Sequence, residues 1–373
     1  MDSARTPSVT LVGASTRAMA WSAVRAGERP LCLDLFTDTD LLALPGVTAR
    51  RLADWPPDEL QSLLPEGIPW AYGGGLENHP GLVSRLAGRA PLWGNGGRAL
   101  REARYPQRWG KHLRQAGVAV PDCAVRPPAG EESGWMRKPY RSAAGRGVQL
   151  WPVDEAVSPW RYFAQRRVAG LCAAAVFAVG VGEAQLLGVT EQWVGQPWLY
   201  VRGFGYCGSI GPLEISRGLQ EQMGRMGRAL VAMDLRGVVG VDLMLEGDTA
   251  WAIEINPRWP ASVEVLERAG GFSAWNWHRW GCGAGRRPEK LLPPARTVAK
   301  AILFAPADLE FPAGWPVDGE AWADVPAAGE KIPAGSPVLT CLAAAPAGGL
   351  CGRLIVERVH HALGLLGHLR VSD

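Results

Sequence analysis

The stretch GVDLMLEGDTAWAIEINPR (Gly240–Arg258) combines the pattern of a β-hairpin with polar residues that packing alone does not require. Two runs of alternating character flank Gly247-Asp248, which predicts two antiparallel strands joined by a tight turn. Successive side chains of a strand point to opposite faces. On the return strand, Glu254, Asn256 and Arg258 therefore share one face with Ala252, and the other face carries Trp251, Ile253 and Ile255.

The length of the turn decides which residue lies opposite Asp242. A three-residue loop, Gly247-Asp248-Thr249, pairs Asp242 with Glu254, whereas a two-residue Gly247-Asp248 turn pairs it with Ile253 and mixes the two faces. A one-residue slip moves every side chain to the other face. The three-residue loop or an equivalent bulge is therefore predicted, because it keeps the polar residues of both strands on one face.

Two facing carboxylates, with Cβ atoms about 5 Å apart, repel each other unless a cation lies between them. Mg²⁺ prefers carboxylate and amide oxygens and commonly shares its coordination with substrate phosphates. Asp242, Glu254 and Asn256 supply such oxygens, and Arg258 adds a fork suited to phosphate. The alternative is a solvated polar face. The residue types favour a metal–phosphate site.

A second stretch, WMRKPYRSAAGRGVQLW (135–151), offers the cations and backbone donors that a phosphate site needs. Lys138 lies at the end of a predicted strand, and Ser142 to Gly147 form a loop of small residues. Such loops let backbone N–H groups approach phosphate oxygens. Taken alone, the loop is better explained as an ordinary glycine hairpin, and the acidic hairpin downstream adds support for the phosphate interpretation.

Residues 8–120 alternate as a parallel α/β unit does. The turn after the first strand, GASTRA, lacks the G-x-G-x-x-G pattern, so a plain sheet turn is favoured over a nicotinamide site. Ligands bind at the carboxyl ends of such strands. The candidate substrate residues at these ends are Ser15, Arg17, Tyr72, Glu77 and Asn78. For each of them, a role in an ordinary turn or helix cap is the alternative. The predicted strands are VTLVG, PLCLDL, IPWAY and APLWGN, and the predicted helices are STRAMAWSAVRAG, PPDELQSLL and one around WGKHLRQAG.

Strand patterns dominate after the loop RPPAGEESG (126–134), and helices are predicted at about 213–234 and 262–281. RRPEKLLPPART is predicted to be a linker, followed by a small β-rich cap with strands ILFAPADL, GSPVLTCLA and CGRLIV and a final helix, ERVHHALGLLG. The predicted domains are 1–121, an open parallel α/β domain; 122–295, an α+β domain; and 296–373, the cap.

Composition excludes several classes of function. The net charge of +3 without a Lys/Arg block argues against nucleic-acid binding. Seven scattered cysteines without a C-x-x-C pair argue against zinc and for reduced thiols. No signal peptide is visible, and the longest near-apolar run, 169–182, is too short to span a bilayer. A cytoplasmic protein without a membrane partner is expected.

The ordered motifs resemble those of the ATP-grasp superfamily. Lys138-Pro139 and the small-residue loop come first, then AQRRVAG, FGYCGSIGP, and finally Asp242 with Glu254-Ile255-Asn256-Pro257-Arg258. YGGGLENHP and LWGNG are similar to the carboxylate–amine ligases related to the pyrrolysine-pathway ligase and tyramine–glutamate ligase. The segment DVPAAGEKIPAGSPVLTCLA resembles the C-terminal β segment of carboxylase-type members.

The resemblance implies a role for each matching residue. Lys138 would contact the α- and β-phosphates of ATP, and Ser142, Gly145 and Gly147 would form a lid. Gln165, Arg167 and Val168 would contact adenine. Asp242, Glu254 and Asn256 would hold one or two Mg²⁺ ions, with Mn²⁺ as an alternative, and Arg258 would stabilise the transferring phosphoryl group.

This sequence departs from the family pattern at two places. Leu171 and Cys172 follow the hinge glycine, Gly170, where an acidic residue for the ribose is common. RYPQRWGK lacks the usual lysine and leaves Arg104, Arg108 or Lys111 as the substitute.

The implied activity is the ATP-dependent activation of a carboxylate as an acyl phosphate, with release of ADP, and its coupling to an amine. A bicarbonate-activating carboxylase and a silent nucleotide-binding protein are the alternatives. The resemblance to tyramine–glutamate ligase suggests, by analogy, a role in the biosynthesis of a coenzyme such as a one-carbon carrier. The expected partners are small-molecule carboxylate and amine substrates, and a homodimer remains open.

Overall fold

The computed structural model describes residues 6–56, 59–151 and 158–367. The chain begins with a parallel sheet whose central strands are buried apolar runs, as strands covered on both faces are. The sheet order is β3-β2-β1-β4, for β1 Val9–Gly13, β2 Pro30–Asp34, β3 Thr48–Arg51 and β4 Trp70–Tyr72.

Six α-helices accompany this sheet in the described part of the chain, and two predictions about this unit are corrected. The expected strand APLWGN is reduced to one bridge between Trp70 and Leu92. The expected helix PPDELQSLL is helical only over Leu60–Leu63, and its residues Pro57 and Asp58 lie outside the described part of the chain. The helices are α1 Arg17–Arg25, α2 Thr39–Leu42, α3 Leu60–Leu63, α4 Pro80–Ala87, α5 Gly97–Arg104 and α6 Pro106–Gln115.

A small antiparallel sheet follows and carries the Lys138 motif. Its order is β5-β8-β6-β7, for β5 Cys123–Ala124, β6 Trp135–Pro139, β7 Gln149–Leu150 and β8 Tyr162–Arg166. The predicted strand WMRKP coincides with β6.

The largest element is an antiparallel sheet of eight strands, ordered β13-β12-β9-β10-β11-β14-β18-β16. Strands from the expected C-terminal cap continue this sheet, because β14 pairs with β11. The strands are β9 Leu171–Val179, β10 Ala184–Val194, β11 Tyr206–Gly211, β12 Gly237–Glu246, β13 Thr249–Asn256, β14 Thr297–Phe304, β16 Trp322–Ala323 and β18 Pro337–Ala345, and a separate pair comprises β15 Leu309–Glu310 and β17 Lys331–Ile332.

Four further helices pack on this sheet: α7 Arg217–Ala232, α8 Val263–Gly270, α9 Ala274–Gly281 and α10 Gly348–Leu365. The single helix expected over 262–281 is wrong. Gly271 has a φ of +66°, which ends α8 in a left-handed residue, and Ser273 caps α9. The expected strand CGRLIV is also wrong, because it lies inside α10, where Cys351, Ile355 and Val359 are buried at helical spacing.

Asp242 pairs with Glu254 in the hairpin of β12 and β13, as predicted, but the pairing arises from a bulge and not from the three-residue loop. The turn has two residues, since Glu246 pairs with Thr249, so the three-residue loop is wrong. A bulge then shifts the register, so that Leu243 pairs with Ala252 and Asp242 pairs with Glu254.

The bulge also changes the faces of the return strand. Ala252 and Ile255 are fully buried in the core, and Ile253 lines the opposite side, where the polar residues lie. The expectation that Ala252 shares the face of Glu254, with Trp251 and Ile253 on the apolar face, is therefore wrong, because the extra residue reverses the alternation beyond it.

Two cores position the site. On one face of the large sheet, α6 and α7 cover β9, β12 and β13. On the other, α9 joins the sheet to α1 of the N-terminal unit. None of the described helices has the length and apolar character needed to cross a bilayer.

Candidate active site

A cleft of about 1560 Å³ lies where the N-terminal unit, the small sheet and the large sheet meet. The walls come from all three predicted domains. Predicted site residues that line the cleft are Ser15, Arg17, Asn78, Arg104, Lys138, Ser142, Gly145, Gly147, Gln165, Arg167, Val168, Asp242, Glu254, Asn256 and Arg258.

Two substrate candidates lie behind the wall of the cleft. The Tyr72 hydroxyl is buried and donates to the carbonyl of Asn95 at 2.6 Å. Glu77 is fully buried and binds arginine side chains.

The acidic pair, Asp242 and Glu254, lines the cleft. Asp242 accepts hydrogen bonds from Gln192 Nε2 at 3.1 Å and Asn256 Nδ2 at 2.9 Å. Burial raises the pKa of Asp242 to about 6, with a further contribution from the charge of Glu254. A cation placed between the two carboxylates would relieve this repulsion. Sequence reasoning missed Gln192, which lies in an ordinary alternating strand.

The bulge in β13 brings Lys138 and Gln165 together. Ile253 has no partner in β12, and its carbonyl accepts from Lys138 Nζ at 3.3 Å and Gln165 Nε2 at 3.2 Å. Lys138 also donates to Gln165 Oε1 at 3.2 Å. The bulge therefore provides the acceptor that anchors both predicted ATP-binding side chains.

Glu77 connects two arginines at the same end of the cleft. Its Oε1 lies 3.0 Å from Arg258 Nε and 3.3 Å from Arg104 Nη2. Burial opposes ionisation of Glu77, but the charges of Arg258 and Arg104 outweigh it and lower the pKa of this carboxyl. Arg104 Nη1 also lies 3.3 Å from Glu254 Oε1.

Of the three cations predicted to replace the family lysine, only Arg104 lines the cleft within the described residues. Arg108 is exposed and pairs with Glu102 Oε1 at 2.8 Å, and Lys111 is exposed. The geometry therefore favours Arg104 as the substitute.

The small-residue loop is held from two sides. The carbonyl of Ser142 accepts from Asn78 Nδ2 at 3.2 Å and Arg104 Nη2 at 3.3 Å, and the carbonyl of Ala144 accepts from the backbone N–H of Tyr206 at 3.2 Å. Gly145 has a φ of +74°, and a Cβ there would lie 1.8 Å from the carbonyl oxygen of Phe204. Only glycine suits that position.

The predicted adenine hinge lies at the end of β8. The backbone N–H of Arg167 donates to the carbonyl of Gly134 at 2.8 Å, and Val168 lines the cleft. Gly170 has a φ of +126° and lies against the carbonyl of Leu245, so the absence of a side chain there allows the hinge to approach β12.

The far half of the cleft contains the predicted substrate residue Arg17 within a charge network whose other members, Glu264, Lys300 and Asp324, sequence reasoning missed. Arg17 is buried and binds Glu264 and Asp324, and Lys300 Nζ lies 3.1 Å from Glu264 Oε2. One signal was available, since Lys300 interrupts the apolar run TVAKAILF. Arg17 and Asp324 are separated by 307 residues, so no local pattern could join them.

These elements together define an ATP-grasp fold. Residues 108–262 match the family described as the ATP-grasp domain, so the chain contains such a domain. The resemblance to the ATP-grasp superfamily and the expected mixed α/β class are confirmed.

Solved structures with the same fold cover nearly the whole chain. N5-carboxyaminoimidazole ribonucleotide synthetase from Thermus thermophilus is 18% identical, with 98% of this chain and 99% of that chain covered and a TM-score of 0.67. L-amino acid ligase from Bacillus licheniformis is 14% identical, with coverages of 95% and 97% and a TM-score of 0.69.

The biotin carboxylase domain of the Hydrogenobacter thermophilus 2-oxoglutarate carboxylase is 13% identical. The match covers 95% of this chain and 89% of that chain, with a TM-score of 0.73. No curated protein sequence matches the chain significantly.

Proposed function

We propose that the protein is an ATP-dependent ligase that activates a carboxylate and couples it to an amine. The carboxylate attacks the γ-phosphoryl group of ATP, ADP leaves, and the amine then displaces phosphate from the acyl phosphate. The observation that carries the proposal is the convergence of Lys138, Asp242, Glu254 and Arg258 on one cleft of an ATP-grasp domain.

Each side chain has a role consistent with its position. Lys138, Arg104 and Arg258 supply fixed positive charge to the phosphates as charge spreads over their oxygens. Gln165, with the backbone of Arg167 and Val168, binds the adenine. The loop of Ser142, Gly145 and Gly147 covers the phosphates and excludes water, which would hydrolyse the acyl phosphate.

The donor set suits a magnesium ion. Asp242 and Glu254 face each other as a cross-strand pair, and burial together with the charge of Glu254 raises the pKa of Asp242. Among the described residues, no group of three or more His, Cys, Asp or Glu side chains is arranged to hold a metal. Asn256 and substrate phosphates would therefore complete the coordination of Mg²⁺ or Mn²⁺, which would neutralise phosphoryl charge.

One of the structures of similar fold gives a reason to test bicarbonate as a substrate as well. The 2-oxoglutarate carboxylase domain is described in complex with MgADP and bicarbonate. Bicarbonate is therefore included among the carboxylates. ADP release with bicarbonate in the absence of any amine would favour a carboxylase-type reaction over the ligase.

The test measures ADP release in pools of amino acids, small dicarboxylates and bicarbonate, with and without amines. Hydroxylamine traps any acyl phosphate as a hydroxamate. We expect Asp242→Asn and Glu254→Gln to lower kcat by about 100-fold or more, because each would weaken binding of the Mg²⁺ that neutralises charge on the transferring phosphoryl group. Asp248→Asn, at the exposed tip of the same hairpin, is the matched control and should retain activity.

Formation of AMP, or ATP binding without turnover across all pools, would contradict the ligase. The resemblance to tyramine–glutamate ligase supports a further proposal, that the product belongs to coenzyme biosynthesis. Mass spectrometry of the coupled product tests it.

A further inference from the structure

Asp38 is a buried carboxylate that lines the far half of the cleft. Its residue is 6% exposed, and it directly precedes α2. Aspartate at that position usually caps the helix through its side chain, but Asp38 makes no such bond. Within the described residues, no hydrogen bond or ion pair is formed by its carboxylate.

The neighbouring acids, in contrast, have partners. Asp40 accepts from the backbone N–H groups of Asp324 at 3.0 Å and Val325 at 2.9 Å. Asp324 accepts from Arg17 Nε at 3.1 Å and from Thr340 Oγ1 at 2.6 Å. These contacts hold the two acids in place and leave Asp38 as the acid available to a ligand.

The charge of this region is negative. Arg17 and Lys300 are each paired with Glu264, and Arg17 also with Asp324, so the two buried cations are already matched by two acids. Arg268 is shared between Glu264 and Glu320. The acids in the region are Asp34, Asp38, Asp40, Glu264 and Asp324.

Burial raises the pKa of Asp38 to about 9, and the charges of Asp324, Asp34 and Asp40 add to this effect, while Arg17 opposes it. A bound cationic ligand would lower the pKa of Asp38 again, because it favours the ionised carboxylate. A metal ion is less suited, because the described residues contain no group of three or more acidic, histidine or cysteine side chains arranged as metal ligands.

We propose that Asp38 binds the ammonium group of the amine substrate, with Ser15 and Asp324 beside it. The proposal rests on the ligase function proposed above and names its substrate class: a primary amine that arrives as a cation and gives one proton to Asp38 before its nitrogen attacks. Ser15 donates to Asp324 Oδ1 at 3.2 Å, so the hydroxyl and both acids line the same wall. That wall faces the cleft that also contains Asp242 and Arg258, where the acyl phosphate would form.

The experiment compares charged and neutral amines in the full-length protein. Ethanolamine, cadaverine and L-lysine are cations at neutral pH, whereas hydroxylamine is mostly neutral. For Asp38→Asn we expect the KM of an accepted cationic amine to rise by about 10- to 100-fold, because a hydrogen bond to a charged group is lost. Hydroxamate formation with neutral hydroxylamine should change far less than this KM, and Asp38→Glu should restore part of the amine affinity.

The control is Glu221→Gln, which removes the same charge from the exposed surface of α7. If Asp38→Asn raised the KM of hydroxylamine as much as the KM of the cationic amines, the inference would be overturned. It would also be overturned if the wild-type protein used hydroxylamine but none of the cationic amines. Absence of hydroxamate in the wild-type protein would instead overturn the proposed ligase function, so the two failures are distinguishable.

A pH series supplies a second readout. Between pH ~7 and ~9, ionisation of Asp38 should tighten the binding of a cationic amine to the wild-type protein, since its pKa of about 9 falls at the upper end of that range. Asp34, Asp40, Asp324 and Arg17 remain in both proteins. If Asp38→Asn retained the same pH dependence, the effect would belong to one of those groups and the inference would fail.

Discussion

At the scale of single residues, Glu77 shows how a buried carboxylate can position two cations. The sequence predicted it as a substrate residue on the edge of the sheet. In the structure it lies behind the cleft, between Arg104 and Arg258, and its backbone neighbour Gly75 donates to the same carboxylate. We therefore propose that Glu77 orients both arginines toward the phosphates without touching substrate.

Glu77→Gln should lower stability and kcat together. Loss of one partner of a buried ion pair costs about 3 kcal/mol in the free energy of unfolding. Because its pKa is lowered on folding, ionised Glu77 contributes stability that is fully present above about pH 4.3 and is lost as the pH falls through the lowered value. The stability difference between wild type and variant should shrink on acidification, measured by chemical unfolding at several pH values.

Glu66→Gln is the control, since Glu66 pairs with Arg89 on the surface at 3.2 Å and is 74% exposed. Its effect should stay below about 1 kcal/mol at every pH. A Glu77→Gln protein with wild-type stability and kcat would show that the arginines are positioned by other contacts.

At the scale of elements, the position of the predicted lid loop, Ser142 to Gly147, depends on the absence of a side chain at Gly145. Gly145→Ala combines a left-handed backbone with a collision against the carbonyl of Phe204. The loop must then move, so we expect a higher KM for ATP, a lower kcat and faster proteolysis between residues 141 and 147. The backbone penalty alone is about 1–2 kcal/mol.

Gly130→Ala is a matched control, because Gly130 has a φ of +83° but its added Cβ would meet nothing within 4 Å. Equal kinetic effects of the two substitutions would show that backbone strain, rather than contact with Phe204, restrains the lid.

The sequence predicted most elements because local periodicity decided them, and β1, β6 and α6 follow the expected runs. The failures have physical causes. A bulge adds one residue without changing composition, so alternation in β13 could not reveal that Ala252 faces the core. In α10, packing of Cys351, Ile355 and Val359 against the last strands overrides the strand propensity of CGRLIV.

The candidate site also contains one part that local motifs predicted and one part that they did not. The residues proposed to bind ATP lie in contiguous motifs, so the family resemblance could name them one by one. The region proposed to bind the amine depends on contacts such as Arg17 with Asp324 and Thr39 with Val325, which join opposite ends of the chain. Such pairs leave no local pattern in one sequence.

At the scale of the whole molecule, the C-terminal strands complete the large sheet instead of forming a separate layer. A chain ending at residue 295 would expose the edge of β11 and leave Glu264 without Lys300. We expect this truncated protein to aggregate or to lose cooperative unfolding, measured by calorimetry and light scattering.

A chain ending at residue 367 is the control and should unfold as the full-length protein does. A soluble truncated chain, 1–295, that unfolds cooperatively and binds ATP would contradict the expectation and support the predicted boundary of a separate cap at 296.

The continuous sheet also determines which parts of the molecule can move during a reaction. Asp242 on β12 and Lys300 on β14 are four strands apart, roughly 19 Å along a sheet with about 4.8 Å between strands. Every intervening strand is hydrogen-bonded to the next, so this separation is fixed by the backbone. Any closure of the cleft would therefore have to come from parts outside the large sheet, such as the small sheet that carries Lys138 and the predicted lid loop, while Asp242 and Lys300 would keep a constant separation.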